Sequence, residues 1–333
     1  MLTDTMHVVS FFGSAGLYVP VLVLVYWCVD RVQGARLAVA LLVSAAVNVT
    51  LKLLFHDPRP FWTDHSVTGH EPHDSFGMPS GHAQNAPVFW GLLAAWTRRS
   101  APWAAAAAVV ALIGVSRIVL GVHSPGQVVT GWLIGAGLLG VVLWAEPRVV
   151  PWWTRRPLAQ QLGLSLATGL AFVVAMWAAM RPLDGWRWPA GWARRIVEAG
   201  GSLEPISLSE GAAAAGGLCG LLAGLSLANR LVGYEPGGAV WRRLARIPVG
   251  VAGGLVIFTA GLFLGENPVP AFIVQAVLGV WVAAGAPEAF IRLGLAGRTP
   301  RVLTRPGEGR PGRGAKPFGG SGGPPPEDTG VRQ

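Results

Sequence analysis

The sequence predicts an all-α fold, a polytopic bundle of transmembrane helices. Of its 333 residues, 52% are hydrophobic and only 13% charged, where soluble domains carry about 25% charged residues. The polar residues are bunched, which leaves about nine stretches near the ~20 apolar residues that a helix needs to cross the hydrocarbon core. Arginines recur in alternate connections between those stretches, the signature of cytoplasmic loops.

Taken in order, the expected spans cover about 8–29, 35–55, 82–97, 102–122, 125–145, 160–180, 209–229, 246–265 and 268–291. No basic leader precedes the first, so it reads as a true helix and not as a removable signal. Arg31 and Arg36, then Arg98 and Arg99, then Arg148, Arg155 and Arg156 fall on one side. Arg230, Arg242, Arg243, Arg246 and the Arg-rich tail continue that side, which is therefore expected to be cytoplasmic. The opposite side carries the N-terminus, the 56–81 loop, the 122–124 turn, the 181–208 segment and the 266–267 turn. Segment 181–208 breaks the rule with Arg181, Arg187, Arg194 and Arg195, alternating with Trp186, Trp188 and Trp192 around Pro189. Trp and Arg mixed in this way suit an anchoring segment at headgroup level.

The organisation expected from this pattern is a core over 1–180, an outer interfacial segment over 181–208, additional transmembrane helices over 209–295 and a disordered cytoplasmic tail over 296–333. The tail is rich in Pro, Gly and Arg and lacks apolar periodicity. Gly217, Gly220 and Gly224 suit close helix packing. The net charge of +9 resides almost wholly in Arg, with Lys only at 52 and 316. Because that charge is spread over loops and not gathered on one face, nucleic acid is excluded as a partner. Cys28 and Cys219 each lie inside an apolar span, which suggests neither a disulfide framework nor a metal site.

Ionisable residues at membrane depth are costly and functional by default, and three clusters stand out. In the first, Lys52 ends the second span and Arg59 follows it, stiffened by Pro58 and Pro60. Two neighbouring cations repel unless an anion sits between them. In the second, Pro79-Ser80-Gly81-His82 opens the third span, where free N–H groups and the helix dipole make a phosphate site. Ser80 can cap that helix, Gly81 lets an anion approach the backbone, and His82 titrates near neutral pH. In the third, Ser116-Arg117 is followed five residues later by His123-Ser124-Pro125-Gly126-Gln127. Ser124 and Gln127 have capping-box spacing, with Pro125 at the first helical position. Three cations, two histidines and two helix N-termini are thus expected on one face. That inventory fits phosphoryl transfer, in which positioning and electrostatic stabilisation dominate.

The series K-x6-R-P, P-S-G-H, S-R-x5-H resembles the three-part signature of the type-2 phosphatidic acid phosphatase superfamily, in the family's order and over roughly residues 8–180. The resemblance implies an integral-membrane lipid phosphatase with no metal and no cofactor. It implies that His123 is the nucleophile, forming a phosphohistidine, and that His82 is the general acid. Lys52, Arg59, Ser80, Gly81 and Arg117 would bind the substrate phosphate. One position departs: the family usually carries Asp four residues after the nucleophile, and this chain has Gln127. Its carbonyl can still accept a hydrogen bond from the imidazole, but the charge-assisted part, which makes such bonds roughly twice as strong, would be lost.

The substrate expected from this reading is a lipid phosphate or prenyl diphosphate at the outer leaflet of the cell membrane. Undecaprenyl diphosphate, phosphatidic acid and phosphatidylglycerophosphate are candidates. A lipid phosphotransferase, or a non-catalytic transporter or scaffold, is the alternative; the helices beyond 209 could also form a homodimer interface. Within loop 61–78, His65, His70, Glu71, His73 and Asp74 match no strong metal-ligand spacing. They read as solvated loop residues.

Overall fold

The computed structural model describes residues 1–298 apart from 74, 202, 204–207 and 266. The chain is helical almost throughout, in the order α1 (Leu2–Phe11), α2 (Ala15–Leu24), α3 (Arg31–Phe55), α4 (Pro60–Thr63), α5 (Gly81–Thr97), α6 (Ala101–Val119) and α7 (Pro125–Arg155). It continues with α8 (Leu158–Met180), α9 (Ala190–Glu198), α10 (Leu208–Leu227), α11 (Val240–Leu262), α12 (Pro268–Val280) and α13 (Ala286–Arg292). Among the described residues, eight helical runs are long and apolar enough to cross a membrane. The one expected span not among these eight is the third, α5, which at 17 residues rises only about 25 Å. The protein is therefore a multi-pass membrane protein.

Local chemistry sets several helix ends. Asp30 caps α3 by accepting from the N–H groups of Val32 and Gln33, and the predicted capping box of α7 forms between Ser124 and Gln127. Pro125 and Pro268 occupy first helical positions, where a missing N–H costs nothing. The first span is broken at Phe12–Ser14. Gly13 passes so close to His82 and Ile113 that a β-carbon there would collide with the isoleucine.

Small residues draw the core helices together. On α7, β-carbons at Gly131 and Gly135 would run into the backbone carbonyls of Ser80 and Gln84 on α5. α10 is the most buried of the apolar runs and packs on α3, α8 and α12. Gly216 and Gly220 sit against the α12 backbone at Phe272 and Ala276, and Gly224 against Val280 and Ala283. Gly217, expected at such a contact, instead meets the Leu42 side chain at ordinary van der Waals distance. The close face of α10 is thus one residue out of the expected register there.

Three helices end in wide turns, Val25–Val29, Ala228–Val232 and Trp281–Gly285. Wide turns leave carbonyls open, and side-chain donors take them. Tyr26 Oη donates to Ala283 O at 2.8 Å and Trp27 Nε1 to Val282 O at 2.9 Å, while Trp281 Nε1 donates to Gly250 O of α11 at 2.8 Å. Arg246, expected in a cytoplasmic connection, lies inside α11 and is fully buried. Its guanidinium donates to the carbonyls of Trp27, Pro236, Gly237 and Leu295 and to the Tyr234 hydroxyl. Gly297–Arg298, expected in the tail, pair antiparallel with Tyr234–Glu235; the rest of the expected tail, 299–333, lies outside the described residues.

Within segment 181–208, residues 186–195 turn inward. Trp188 and Trp192 pack on Trp62, Trp186 and Trp188 pack on Phe76, and Arg195 binds the carbonyls of Phe61 and Val67 and the ring of His65. These aromatics therefore brace the 56–81 loop against α9.

Gly135→Val should overpack the α5–α7 contact and destabilise the protein by about 1–3 kcal/mol. Gly137→Ala, on the same helix with open space around it, should leave stability unchanged or slightly raised. Thermal unfolding midpoints in detergent check both.

Candidate active site

The site lies where the C-terminal ends of α3 and α6 meet the N-terminal ends of α5 and α7. Every residue expected from the three motifs is at this end. Lys52, in the last turn of α3, donates to Ser75 Oγ at 2.7 Å. Arg59 precedes α4 and is 1% exposed. Its Nε donates to Ser75 O at 2.7 Å, and its Nη1 to Val122 O at 3.0 Å and to His123 Nε2 at 3.2 Å. Arg117, in the last turn of α6, is fully buried. It donates to both carboxylate oxygens of Glu71, at 3.1 and 2.7 Å, to His73 Nε2 at 2.9 Å and to Ser10 Oγ.

Ser80 and Gly81 form the N-terminus of α5. Ser80 is fully buried, yet its hydroxyl does not cap the helix as expected. Among the described residues that hydroxyl has no hydrogen-bond partner, and neither does Arg117 Nε. Buried polar groups are normally paired, so an open hydroxyl at the α5 N-terminus and an open guanidinium nitrogen at the end of α6 suit an incoming anion. The loop before α5 is fixed from behind. Asn48 Nδ2 donates to Pro79 O at 3.2 Å and to Gln84 Oε1 at 2.9 Å, while Gln84 Nε2 donates to Ser44 O at 2.8 Å. These supports were missed by motif reading, although polar residues at 44, 48 and 84 inside apolar spans were a usable signal.

His123 stands in the turn between α6 and α7, 3% exposed. Its Nδ1 lies 3.1 Å from Gln127 Oε1. Burial, followed by the charges of Arg59, Arg117 and Lys52, holds the imidazole well below its ordinary value and so neutral. His82, the second residue of α5, is half-buried. Its ionisable neighbours are Arg117, Glu71, His73 and Lys52, and Arg117 and Lys52 also act on His123. The two imidazoles therefore share one cationic surround.

Loop 61–78 departs from its expected solvated character. His70 is exposed, and His65 is held by Arg195. Glu71 and His73, by contrast, enter the site. Burial alone would raise the Glu71 carboxyl, but its contact with His73 and the hydrogen bonds and positive charge of Arg117 hold it well below the usual carboxylate range. Burial, helped by the charge of Arg59 and opposed by Glu71, pushes His73 down to about 3. His7 of α1 also reaches Glu71, at 3.3 Å. Residue 74 lies outside the described residues.

Residues 33–151 match the PAP2 superfamily, and residues 212–298 match the PAP2 superfamily phosphatase transmembrane extension. The chain belongs to the type-2 phosphatidic acid phosphatase (PAP2) superfamily. The first PAP2 match contains all three motifs, and the second accounts for α10 through α13. Phosphatidylglycerophosphatase B of Bacillus subtilis (strain 168) is 25% identical to this PAP2 chain over 154 residues, which cover 42% of this chain and 73% of that protein. No solved structure matches. The protein is a multi-pass membrane protein of the PAP2 phosphatase class.

Glu71 holds the Arg117 fork in the manner of a bound anion. Glu71→Gln removes that internal competitor, so inhibition by inorganic phosphate should tighten several-fold in a steady-state assay. His73 and His123, both held below the ordinary value, also set a pH dependence. Between an ordinary value of 6.5 and the His73 value of about 3, the unfolded chain binds more protons than the folded one, so stability falls with falling pH. Glu71, whose folded value is depressed, adds a loss of the same sign at lower pH. The thermal midpoint should decline as pH drops below about 6.5, and His73→Gln should remove part of that decline.

Proposed function

We propose that this phosphatase works through a phosphohistidine on His123, without a metal, on a lipid phosphate or prenyl diphosphate at the outer face of the cell membrane. The observation that carries this reading is the convergence of Lys52, Arg59 and Arg117 around a neutral, buried His123. A neutral imidazole keeps its lone pair, and the surrounding cations suit the negative charge on the equatorial oxygens of a phosphoryl group. His123 Nε2 attacks phosphorus as the P–O bond to the lipid breaks, and His82 gives its proton to the departing oxygen. Water, deprotonated by His82, then breaks the N–P bond and releases inorganic phosphate. Lys52, Arg59 and Arg117 supply the positive charge, with Ser80 Oγ and the Gly81 N–H as further donors.

Several observations support the outer-face assignment. Arg36, Arg148, Arg156 and Arg230 sit at the end of the bundle opposite the motifs, as the positive-inside pattern requires. The substrate name of the Bacillus relative favours phosphatidylglycerophosphate among the candidates, with phosphatidic acid and undecaprenyl diphosphate sharing the same phosphate chemistry.

Phosphate release from these three lipids in detergent micelles, with EDTA present, tests the reading. Native protein should retain its rate in EDTA, and His123→Ala should lose on the order of 10³-fold or more, the scale at which covalent nucleophiles fail. Activity abolished by EDTA, or retained by His123→Ala, would overturn it.

A further inference from the structure

His123 needs an acceptor on Nδ1, because attack through Nε2 leaves positive charge on the ring. The acceptor present is the neutral amide of Gln127, and the surroundings of that amide are unusually specific. Gln127 Oε1 faces His123 Nδ1 at 3.1 Å and accepts from the Ser124 N–H at 3.2 Å. Its Nε2 donates to Asp57 Oδ2 at 2.6 Å and to Pro58 O at 2.8 Å. Both groups facing Nε2 are acceptors only, so the amide orientation is assigned by its network: flipped, Oε1 would oppose a carboxylate and a carbonyl. The imidazole tautomer follows. Nδ1 must carry the hydrogen that Oε1 accepts, and Nε2 must carry the lone pair, since Arg59 Nη1 can only donate to it at 3.2 Å.

Asp57 is held in turn. Its carbonyl accepts from Gly77 N–H at 2.8 Å, and a β-carbon at Gly77 would strike the Gln127 amide. The carboxylate, the amide and the ring are therefore packed in series. We propose that Asp57 is a positioning residue for His123, acting through Gln127: a carboxylate set one side chain further out, with the amide conveying its field to the ring. This rests on His123 being the nucleophile. As the N–P bond forms and the P–O bond to the lipid breaks, His82 protonates the leaving oxygen. Nδ1 keeps its proton throughout. Nothing is transferred through Gln127; its amide is polarised, so that Oε1 becomes a better acceptor for a ring gaining positive charge.

The test is a cycle of Asp57→Asn, Gln127→Asp and the double variant, with His123→Ala as reference. The readout is phosphate release in micelles from the fastest of the three lipids named above. Asp57→Asn should lower kcat about 10–100-fold, by analogy with the loss seen when an outer partner of a metal-ligating histidine is removed, and leave KM within about twofold. In the Gln127→Asp background the sign should reverse. There two carboxylates face each other across a short contact, and Asp57→Asn relieves the repulsion and raises kcat. A purely structural Asp57 would cost the same in both backgrounds, and that result would overturn the proposal. So would native kcat in Asp57→Asn alongside an inactive His123→Ala. An active His123→Ala would instead overturn the underlying nucleophile assignment. If Asp57→Asn alone does not fold, the double variant decides: kcat above that of Gln127→Asp supports the proposal, and kcat equal or lower overturns it.

Discussion

Two guanidinium groups buried at one end of the bundle dictate much of what surrounds them. Arg59 and Arg117 are 1% and 0% exposed, and an unpaired buried charge is among the costliest features a protein can carry. The chain meets that cost in two different ways. Arg59 is surrounded by oxygens of its own loop and of the turn before α7, together with the His123 ring. Arg117 is met by a carboxylate brought in from the 61–78 loop. The cation pair thus organises the loop, the α6–α7 turn and the first helix, whose Ser10 and His7 complete the shell.

Arg246 shows what a purely structural solution looks like in the same fold. It is equally buried, yet its partners are backbone carbonyls and one tyrosine hydroxyl, fixed by helix ends and wide turns. No side-chain anion takes part among those bonds. Arg117 instead relies on a side-chain carboxylate that a phosphate could replace, and its Nε, like the hydroxyl of Ser80, has no partner among the described residues. The difference in partner chemistry separates an arginine that ties helices together from one that is suited to exchange its partner.

The rest of the molecule holds these groups in register. Gly131 and Gly135 let α7 lie directly on the backbone of α5, which sets the His123 turn beside the Ser80–Gly81 terminus. Asn48, Gln84 and Ser44 fix α5 to α3 and so relate Ser80 to Lys52. On the other side, Trp192 of α9 and Trp186 and Trp188 before it press on Trp62 and Phe76, bracing the loop that carries Arg59 and Glu71. The α10–α12 packing extends this bundle through the transmembrane extension.

The sequence by itself determined the helical class, the approximate spans, the family, and the end of the bundle at which all eight motif residues gather. These features rest on local rules: apolar length against bilayer thickness, the cost of charge at membrane depth, and the cap chemistry of Ser124 and Gln127. Only the tertiary structure decided which loop residues join them. Glu71 meets Arg117 across 46 positions, Asp57 meets Gln127 across 70, and Ser10 meets Arg117 across 107. A loop has no period from which such encounters can be read, and a carboxylate in it looks the same whether it ends in water or on a guanidinium. The same limit explains Ser80, whose spacing promised a cap while its surroundings left the hydroxyl open, and Arg246, whose loop-like context gave no sign that helix ends would close around it.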